Sequence, residues 1–424
     1  MLMRPVETAA PPPVTAPLSL SPGHGRILLV ANNFPPIRGG SAVVYDTLAR
    51  HAGGRVMVLA ATRGYADGLP QIGWREHDRA APYRVLRLKL LRTMLGQRRE
   101  TGLARAWFAL TDGAIRARVL AVVLWLIAAR GVRSVCIGEL VALGWLFTPL
   151  RALPFVRRVV YMHGEEITTV DGYDDDFRRR RGYVRAAQRI VAVSRFTREV
   201  TAALGGPAVA ARITLIENGV DPRRFHPGAK RDDLLAFHGL AGAFVFVSVC
   251  RLLEKKGVDR ALEAFAMLAP DWPEARFLVV GDGPYRTQLE ALATALGVAG
   301  RVVFTGLVAE EELVDHYRLG DVFVMPNREL ANGDTEGFGL VFLEANACGL
   351  PVVAGCAGGS PDAVTDGENG LVVDGREVAS VERAMRRMIA EPELRARLAA
   401  GGLARAAAAD WRWKAAEFLE VGLR

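Results

Sequence analysis

The sequence predicts an α/β protein with two doubly wound domains, each built on a parallel sheet. Three observations support this fold class. The chain has 424 residues, which is enough for two domains of about 200 residues each. Short apolar runs alternate with helical patterns along the chain, as expected for parallel strands joined by crossover helices. Glycine-bearing or polar turns follow many of these runs, at the strand ends where such sheets bind ligands.

In the first half of the chain, the apolar run Arg26–Ala31 predicts a buried strand. It is followed by a loop that ends in Gly39 and Gly40, and then by a helix from about Ser41 to His51. A strand, a glycine-bearing loop and a helix start can bind an anion, although this loop matches neither a dinucleotide fingerprint nor a P-loop. Further strands are predicted over Val56–Ala60, Val85–Leu88, Ser134–Ile137, Val159–Met162, Ile190–Val193 and Ile213–Ile216.

The second half contains five further strand-like runs and ends in a predicted helix over Trp411–Leu423. Residues 1–22 are rich in Pro, Ala, Thr and Ser without an apolar core, which predicts a disordered tail and no secretory signal. The apolar run Val119–Ala129 is too short to span a bilayer and predicts a buried helix. The five strands are predicted over Phe244–Cys250, Phe277–Val280, Val302–Phe304, Val322–Met325 and Val352–Gly355.

Composition and cysteine spacing exclude several classes of protein. Half of the residues are hydrophobic and 24% are charged, which is a normal balance for a globular protein. The run Asp174–Asp176 invites a metal site, but it precedes the arginines 178–181, where opposite charges neutralise one another, so no metal is predicted. The four cysteines form neither a CxxC pair nor a Cys/His pattern, which predicts reduced thiols in a cytosolic protein: Cys136, Cys250, Cys348 and Cys356.

The positive charge of the chain is concentrated between Arg84 and Arg118. The net charge is +8, and this stretch alone carries nine Arg or Lys residues against Glu100 and Asp112. Leu, Met, Trp and Phe are interleaved with the basic residues. Such a basic amphipathic surface is either a solvated face or a docking surface for anionic lipid. Nucleic acid is not favoured as a partner, because no recognition motif accompanies the charge.

The most informative stretch lies between Met325 and Asp362. Glu336 directly precedes a Gly-Phe-Gly turn into the helix that begins at Leu340. Glycines let the backbone approach a ligand, and the unpaired N–H groups of a helix start attract phosphate. Glu344 follows about two helical turns later, which suits two sugars on either side of a diphosphate. The alternative is that Glu336 is a solvated loop acid and Glu344 a surface residue of a core helix.

The motif EGFGLVFLE, from Glu336 to Glu344, resembles the E-x7-E signature of retaining glycosyltransferases of the GT-B fold in family 4, the glycosyl transferases group 1. The surrounding segment, NRELANGDTEGFGLVFLEANACGLPVVAG, resembles a subgroup that includes phosphatidylinositol mannosyltransferases. The similarity extends over nearly the whole chain; it is strongest from about Val247 to Asp374 and weaker in the first half. It implies the GT-B architecture of two Rossmann-like domains facing across a cleft.

The resemblance also implies roles for individual residues. The sequence RLLEKKG resembles the motif R-L-x-x-x-K-G, which assigns Arg251 and Lys256 to the donor diphosphate, and two fixed cations can neutralise a leaving diphosphate. Glu344 would bind the ribose hydroxyls, and Glu336 would hold the sugar together with the backbone amides that follow it. His163 resembles a strand-end histidine that faces the transferred sugar. The other residues implied to contact the donor are Gly39, Gly40, Gly281, Gly306, Gly337, Phe338, Gly339 and Leu340.

The predicted function is that of a metal-independent retaining glycosyltransferase without a cofactor. It would move a hexose, as in the mannosyltransferase subgroup, from a GDP- or UDP-hexose to a lipid or glycan-precursor acceptor in cell-envelope synthesis. Because no carboxylate nucleophile is found on the acceptor side, a same-face displacement fits better than the two-carboxylate scheme of glycosidases. Two alternatives remain open: a sugar-nucleotide epimerase or phosphorylase of the same fold, and a two-domain protein that binds a sugar without reacting.

The resemblance divides the chain into an acceptor domain over residues 23–226 and a nucleotide-sugar domain over residues 227–405. Residues 406–424 would form a helix that packs back on the first domain. The boundary near His226 follows Glu217–Asp221, which resembles the NGVD turn of the family. The protein is expected in the cytoplasm, and at the inner face of the cell membrane when the stretch Arg84–Arg118 contacts anionic lipid.

Overall fold

The computed structural model describes residues 25–37, 39–65, 67–93, 101–170 and 174–424 of the chain. The predicted disordered tail, residues 1–22, lies outside these residues. Within them, thirteen strands form two parallel sheets. The strands are β1 Arg26–Ala31, β2 Val56–Ala61, β3 Arg84–Leu88, β4 Val132–Ile137, β5 Arg157–Met162, β6 Arg189–Ala192, β7 Ile213–Leu215, β8 Phe244–Val249, β9 Ala275–Val280, β10 Val302–Gly306, β11 Val322–Met325, β12 Val352–Gly355 and β13 Gly370–Val373.

Eighteen α-helices lie between and after these strands in the described part of the chain, and several of them are single turns. The helices are α1 Gly40–His51, α2 Trp74–Ala80, α3 Gly102–Arg130, α4 Leu140–Leu143, α5 Phe147–Leu150, α6 Glu165–Thr168, α7 Arg178–Ala186, α8 Arg195–Gly205, α9 Pro207–Ala210, α10 Asp232–Phe237, α11 Val258–Leu268, α12 Arg286–Ala295, α13 Leu313–Arg318, α14 Leu340–Ala347, α15 Ser360–Ala363, α16 Val378–Ala390, α17 Pro392–Ala408 and α18 Trp411–Leu423.

Each sheet is wound outward in both directions from a central pair of strands. The strand order is β3-β2-β1-β4-β5-β6-β7 in the first sheet and β10-β9-β8-β11-β12-β13 in the second. The order reverses between β1 and β4 and between β8 and β11. Ligands of such sheets bind at the carboxyl ends of the strands beside this reversal. The loops that follow these four strands therefore position the candidate site.

The strands are rich in Val, Ile, Leu and Ala because both faces of each sheet are covered. Successive residues of β1 point to opposite faces of the first sheet. Ile27 and Leu29 belong to one hydrophobic core, and Leu28 and Val30 belong to a second core on the other face. The predicted fold class, two doubly wound α/β domains, is confirmed.

The last helix, α18, lies on the first sheet although it follows the second domain in the sequence. The ring of Phe418 packs edge-on against Tyr161 of β5, with 5.8 Å between the ring centroids. The guanidinium of Arg157 donates a hydrogen bond to the carbonyl oxygen of Gly422 at 2.9 Å. These contacts fasten the end of the chain to the domain in which it begins.

The chain crosses between the domains at two places that lie side by side. The N–H of Val220 donates a hydrogen bond to the carbonyl oxygen of Ala409 at 2.8 Å. Asp410 follows and caps α18, because its carboxylate accepts a hydrogen bond from the N–H of Arg412 at 2.8 Å. The residue limits of the domains, 23–226, 227–405 and 406–424, stay predictions.

Two elements differ from expectation. The run Val119–Ala129 was expected to form a buried helix, but it is the second half of α3, whose Leu124 and Trp125 are exposed. An apolar run does not distinguish a helix that is buried all round from one that buries a single stripe. Strand β13 is absent from the sequence prediction, although its four residues make a run as long as several that were predicted. No helix in the described residues is long and apolar enough to cross a membrane.

Candidate functional site

The two domains touch at the carboxyl ends of their sheets. Gly337, in the loop after β11, packs so closely against the first domain that an added Cβ would lie 1.8 Å from the carbonyl oxygen of His163. Only glycine fits such an approach. Gly40, at the start of α1, faces Leu340, the first residue of α14, with 3.7 Å between an added Cβ and Leu340 Cδ1. The two glycine-bearing turns identified in the sequence therefore lie on opposite sides of one cleft.

Glu336 forms an ion pair with Lys256 at the turn into α14. The ammonium group of Lys256 contacts the carboxylate of Glu336, which also accepts a hydrogen bond from the N–H of Phe338. Burial acts to raise the pKa of Glu336, but the charges of Lys256 and Lys255 outweigh it and hold the pKa below its ordinary value. Gly339, with φ 90°, provides the left-handed residue before the helix. Glu336 is thus a partly buried, ionised group and not a solvated loop acid.

The structure separates Lys255 from Lys256, which the sequence distinguishes only by motif spacing. The buried ammonium of Lys255 donates to the carboxylate of Asp334 at 2.7 Å and to the carbonyl oxygen of Thr335 at 3.2 Å. It also lies 3.5 Å from the carboxylate of Glu165 in the first domain. Lys255 therefore ties loops of the two domains together, whereas Lys256 points to the carboxylate at the turn.

Arg251 lies two residues after the end of β8, and its side chain is exposed. Arg251 forms no ion pair with any residue that the structure describes. The neighbouring strand ends carry the two other predicted glycines. The N–H of Gly281 donates to the carbonyl oxygen of Gly306 at 2.9 Å, and a Cβ at Gly281 would lie 2.0 Å from the carbonyl oxygen of Cys250. Arg251, Gly281 and Gly306 therefore share one edge of the second sheet.

Glu344, on α14, is half-buried and is held by a residue that the sequence analysis missed. The hydroxyl of Tyr317 donates a hydrogen bond to Glu344 Oε2 at 2.7 Å. Burial raises the pKa of Glu344, and the hydrogen bond and the charge of Arg224 oppose this rise. Tyr317 is itself fully buried, with ring contacts to Phe225 and Phe323. Nothing in the spacing of the sequence links Tyr317 to Glu344, so no signal could have identified it.

His163 follows β5 on the first-domain side of the cleft and is partly buried. Its Nε2 lies 2.9 Å from the hydroxyl oxygen of Tyr45, a residue of α1. Burial lowers the pKa of His163 to about 3. The imidazole is therefore neutral across the physiological pH range, which limits it to the hydrogen bonds of an uncharged ring.

Two partly buried carboxylates, those of Glu166 and Glu139, hold the backbone on the first-domain side of the cleft. Glu166 accepts hydrogen bonds from the N–H groups of His163 at 3.0 Å and Gly164 at 2.7 Å. Glu139, after β4, accepts from the N–H of Asn32 at 2.8 Å and from the next residue at 2.9 Å. Burial raises the pKa of both carboxyl groups to about 7. Sequence analysis assigned Glu139 no role, although its place at a strand end was an available signal.

The described residues contain no group of three or more His, Cys, Asp or Glu side chains that could hold a metal ion. The carboxylate of Asp174 instead accepts hydrogen bonds from the N–H groups of Arg179 and Arg180, at 3.0 and 2.8 Å, at the start of α7. All four cysteines are free, and Cys356 alone among them is exposed.

Comparison with known proteins identifies the family of this chain. Residues 231–405 match the family model described as glycosyl transferases group 1. The chain is 33% identical over 408 residues to the GDP-mannose-dependent alpha-(1-6)-phosphatidylinositol monomannoside mannosyltransferase of Mycobacterium tuberculosis (strain ATCC 25618 / H37Rv), covering 93% of this chain and 98% of the relative. The chain belongs to the glycosyl transferases group 1 family. It is also 34% identical over 405 residues to the protein of the same description in Mycolicibacterium smegmatis, covering 92% and 95% of the two chains.

The fold agrees with membership of the glycosyl transferases group 1 family. The chain is similar to the solved structure of Anabaena Alr3699/HepE in complex with UDP, with a TM-score of 0.73 and 21% identity, covering 93% of this chain and 98% of that one. This likeness shows the GT-B fold. Both the family and the fold that the motif EGFGLVFLE indicated are confirmed, and the chain is a glycosyltransferase.

Proposed function

We propose that this group 1 glycosyltransferase transfers mannose from GDP-mannose to a phosphatidylinositol-type lipid, with retention of anomeric configuration and without a metal ion. The donor and the lipid class are those named for the two mycobacterial relatives, which align with over nine-tenths of the chain. The observation that carries the proposal is the partly buried pair of Lys256 and Glu336 at the start of α14, with Glu344 further along the same helix.

In this proposal the donor lies on the second domain. Arg251 and Lys256 contact the diphosphate beside the N-terminus of α14, where the helix dipole and unpaired N–H groups favour an anion. Both cations stabilise the negative charge that develops on the leaving diphosphate as the bond to the sugar breaks. Glu344 accepts hydrogen bonds from the ribose hydroxyls, and Glu336 accepts them from hydroxyls of the mannose. The backbone at Phe338, Gly339 and Leu340 lies along the sugar and diphosphate, and Gly39, Gly40, Gly281, Gly306 and Gly337 let the donor approach.

Retention is what the E-x7-E resemblance implies, and the available carboxylates favour one route to it. Glu139 and Glu166 already accept backbone N–H groups, and Glu336 is paired with Lys256, so none of them is placed as a second, opposite nucleophile. The acceptor hydroxyl would therefore attack the face that the diphosphate leaves. The bond between C1 and the phosphate oxygen breaks, the bond between C1 and the acceptor oxygen forms, and the acceptor proton passes to a phosphate oxygen.

A lipid acceptor requires the protein to reach a membrane surface, and the structure narrows which part of Arg84–Arg118 could do so. Arg87 pairs with Asp78 at 2.8 Å, and Arg92 pairs with Asp112 at 2.8 Å, so these arginines are neutralised inside the domain. The basic stretch is therefore not one continuous surface. Residues 94–100 of the stretch lie outside the described residues.

We assign membrane contact to the exposed face of α3. Leu103 is 86% exposed and Trp107 is 69% exposed, and Leu110 continues the same face at helical spacing. Arg105 and Arg118 are exposed on the same helix and add positive charge to it, Arg118 about two turns beyond Leu110. Apolar side chains beside arginines complement a bilayer surface that carries anionic headgroups. The protein would thus work at the cytoplasmic face of the membrane that contains its acceptor.

Sedimentation with vesicles tests the membrane contact. Wild-type protein should sediment with vesicles containing anionic phosphatidylinositol at low salt and much less with neutral vesicles. The double variant Arg105→Glu/Arg118→Glu should lose about tenfold or more in vesicle affinity, since each basic residue near an anionic surface contributes about 1 kcal/mol. Phe237→Ser is the matched control, because Phe237 is exposed on the second domain. Equal sedimentation of all variants would refute the contact.

Release of GDP from GDP-mannose, measured with and without phosphatidylinositol mannoside, tests the proposed reaction. We expect release that depends on the lipid, persists in excess EDTA, and yields a product whose new anomeric centre has the configuration of the donor. If the lipid stimulated release of UDP from a UDP-hexose but no release of GDP from GDP-mannose, the donor would be a UDP-hexose. Epimerised sugar nucleotide without any transfer would favour the alternative enzyme of the same fold.

A further inference from the structure

The hydroxyl of Tyr45 determines the protonation pattern of His163. Tyr45 is fully buried in α1, and its hydroxyl oxygen lies 2.5 Å from the carbonyl oxygen of Gly138 and 2.9 Å from His163 Nε2. A carbonyl oxygen can only accept a hydrogen bond, so the single hydroxyl proton of Tyr45 is donated to Gly138. The contact with His163 must then run the other way, with Nε2–H donating to the Tyr45 oxygen.

This arrangement is built into the backbone. A Cβ at Gly138 would lie 2.7 Å from the ring and hydroxyl of Tyr45, so a glycine after β4 is required to admit the tyrosine. The N–H of His163 is held by Glu166, which fixes the backbone that carries the imidazole. The rings of Tyr45 and His163 also pack edge-on, with 5.2 Å between their centroids. The imidazole and the hydroxyl are thus packed against each other as well as hydrogen-bonded.

With its proton on Nε2 and no second proton, His163 presents a lone pair at Nδ1. Burial lowers the pKa of His163 to about 3, so the ring stays neutral at physiological pH. Within the residues that the structure describes, Nδ1 has no hydrogen-bond partner, and the residue is only partly buried at the cleft. A neutral acceptor suits a sugar hydroxyl, and it adds no positive charge beside a sugar carbon that becomes electron-poor.

We propose that Tyr45 is a positioning residue that holds His163 in the Nε2–H tautomer, so that Nδ1 accepts a hydrogen bond from one hydroxyl of the transferred hexose. The contact between His163 and the hexose rests on the proposed function. His163 then discriminates against donors that lack this hydroxyl, because its lone pair would be left unpaired. Since α1 also begins at Gly40, one helix carries both the glycine turn and the group that orients His163.

Nitrogen NMR of the imidazole tests the tautomer without any substrate. In ¹⁵N-histidine-labelled protein, with His163 assigned by comparison with His163→Gln, we expect Nε2 to carry the proton and Nδ1 to be unprotonated from pH 5 to 8. Tyr45→Phe should give a mixture of tautomers. A wild-type proton on Nδ1, or an unchanged spectrum in Tyr45→Phe, would overturn the proposal.

Tyr161→Phe is the matched control. Tyr161 lies in the same cluster, with its ring 5.3 Å from that of His163, and its hydroxyl is buried without a hydrogen-bond partner in the described residues. Removing that hydroxyl should leave the His163 tautomer unchanged. Circular dichroism and thermal unfolding of both variants separate a change in tautomer from a loss of folding, and the wild-type spectrum alone already tests the assignment.

Donor analogues test the sugar contact. With GDP-mannose, Tyr45→Phe should lower kcat/KM about tenfold, which is the loss of one hydrogen bond. One of the monodeoxy analogues of GDP-mannose should react equally with wild type and Tyr45→Phe, because the hydroxyl that Nδ1 accepts from is missing. An equal penalty with every analogue would refute the sugar contact. If wild type used no GDP-mannose at all, the proposed function would fail while the NMR result on Tyr45 would stand.

Discussion

At the residue scale, two partly buried carboxyl groups shape the first-domain side of the cleft. Glu139 and Glu166 accept backbone N–H groups of the loops after β1 and β5, the loops that lead to Gly39 and carry His163. Burial of a carboxylate costs free energy that hydrogen bonds recover only in part. The pKa of each group is accordingly raised to about 7.

These raised pKa values predict how stability depends on pH. Between pH 4.5 and about 7 the folded protein binds more protons than the unfolded chain at Glu166, so the free energy of unfolding falls as the pH rises. Wild type should lose on the order of 3 kcal/mol of its free energy of unfolding across this window because of Glu166, and Glu166→Gln should not show this loss. Urea titrations of both proteins at several pH values check this. Parallel pH profiles for wild type and Glu166→Gln would contradict the account.

A second residue-scale prediction concerns Tyr317. Its hydroxyl fixes Glu344 Oε2, leaving the other carboxylate oxygen for the ribose. In Tyr317→Phe the carboxyl group of Glu344 loses a hydrogen bond that opposes the rise of its pKa. The variant should therefore bind GDP about tenfold more weakly than wild type. Calorimetric titration with GDP measures this loss, with Tyr161→Phe as a control that removes a buried hydroxyl elsewhere. Unchanged GDP affinity in Tyr317→Phe would show that Glu344 is not oriented by this bond.

The residues that sequence analysis recovered are those that lie next to a strand end or inside a short motif. Glu336 and Glu344 are eight positions apart, and Arg251 and Lys256 are five apart, so local spacing identifies them. Tyr45 meets His163 across 118 positions, and only the folded first sheet brings them together. Partners of this kind carry no local pattern and become visible only in the structure.

At the element scale, the turn before α14 depends on glycines that tolerate no side chain. Gly337→Ala would place a methyl group 1.8 Å from the carbonyl oxygen of His163, so the second domain must move away from β5. We expect kcat to fall at least a hundredfold while the fold of each domain persists. Gly300→Ala is the matched control, because a Cβ there meets no atom within 4 Å. Full activity in Gly337→Ala would mean that the cleft works in a more open form.

The same scale shows where sequence patterns fail. All strands of the two sheets except β13 were predicted from short apolar runs, which are readable because parallel strands are covered on both faces. Helix α3 was misjudged: its apolar content exceeds what its buried stripe requires, and Leu103, Trp107, Leu110, Leu124 and Trp125 remain exposed. That excess is what the proposed membrane contact explains.

At the scale of the whole molecule, ion pairs between the two domains hold them together beside the cleft. The carboxylate of Asp362, in the second domain, contacts Arg195 of the first domain and accepts the N–H of Arg195 at 2.6 Å. Nearby, Arg405 pairs with Glu217 at 2.8 Å. The pair of Arg405 and Glu217 lies close in sequence to both crossing points, and Arg405 also donates to the carbonyl oxygen of Asp362 at 2.8 Å, so these contacts tie the two domains together.

Weakening the contact between Asp362 and Arg195 should affect closure of the two domains more than binding of GDP. Asp362→Asn keeps the shape of the side chain but removes its charge, so the domains should open more often. We expect kcat to fall about tenfold and the affinity for GDP, which contacts mainly the second domain, to stay within about twofold. Small-angle X-ray scattering should show a larger radius of gyration. A loss of GDP affinity without any change in dimensions would contradict this assignment.

The central claim is that a GDP-sugar binds the second domain between the pair Lys256–Glu336 and the carboxylate of Glu344. Calorimetric titration of GDP-mannose, with EDTA present, tests this most directly in wild type, Glu344→Ala and the control Gly300→Ala. The account predicts one site in wild type and in the control, and at least tenfold weaker binding in Glu344→Ala. Absence of GDP-mannose binding to wild type, or equal affinity in all three proteins, would contradict it.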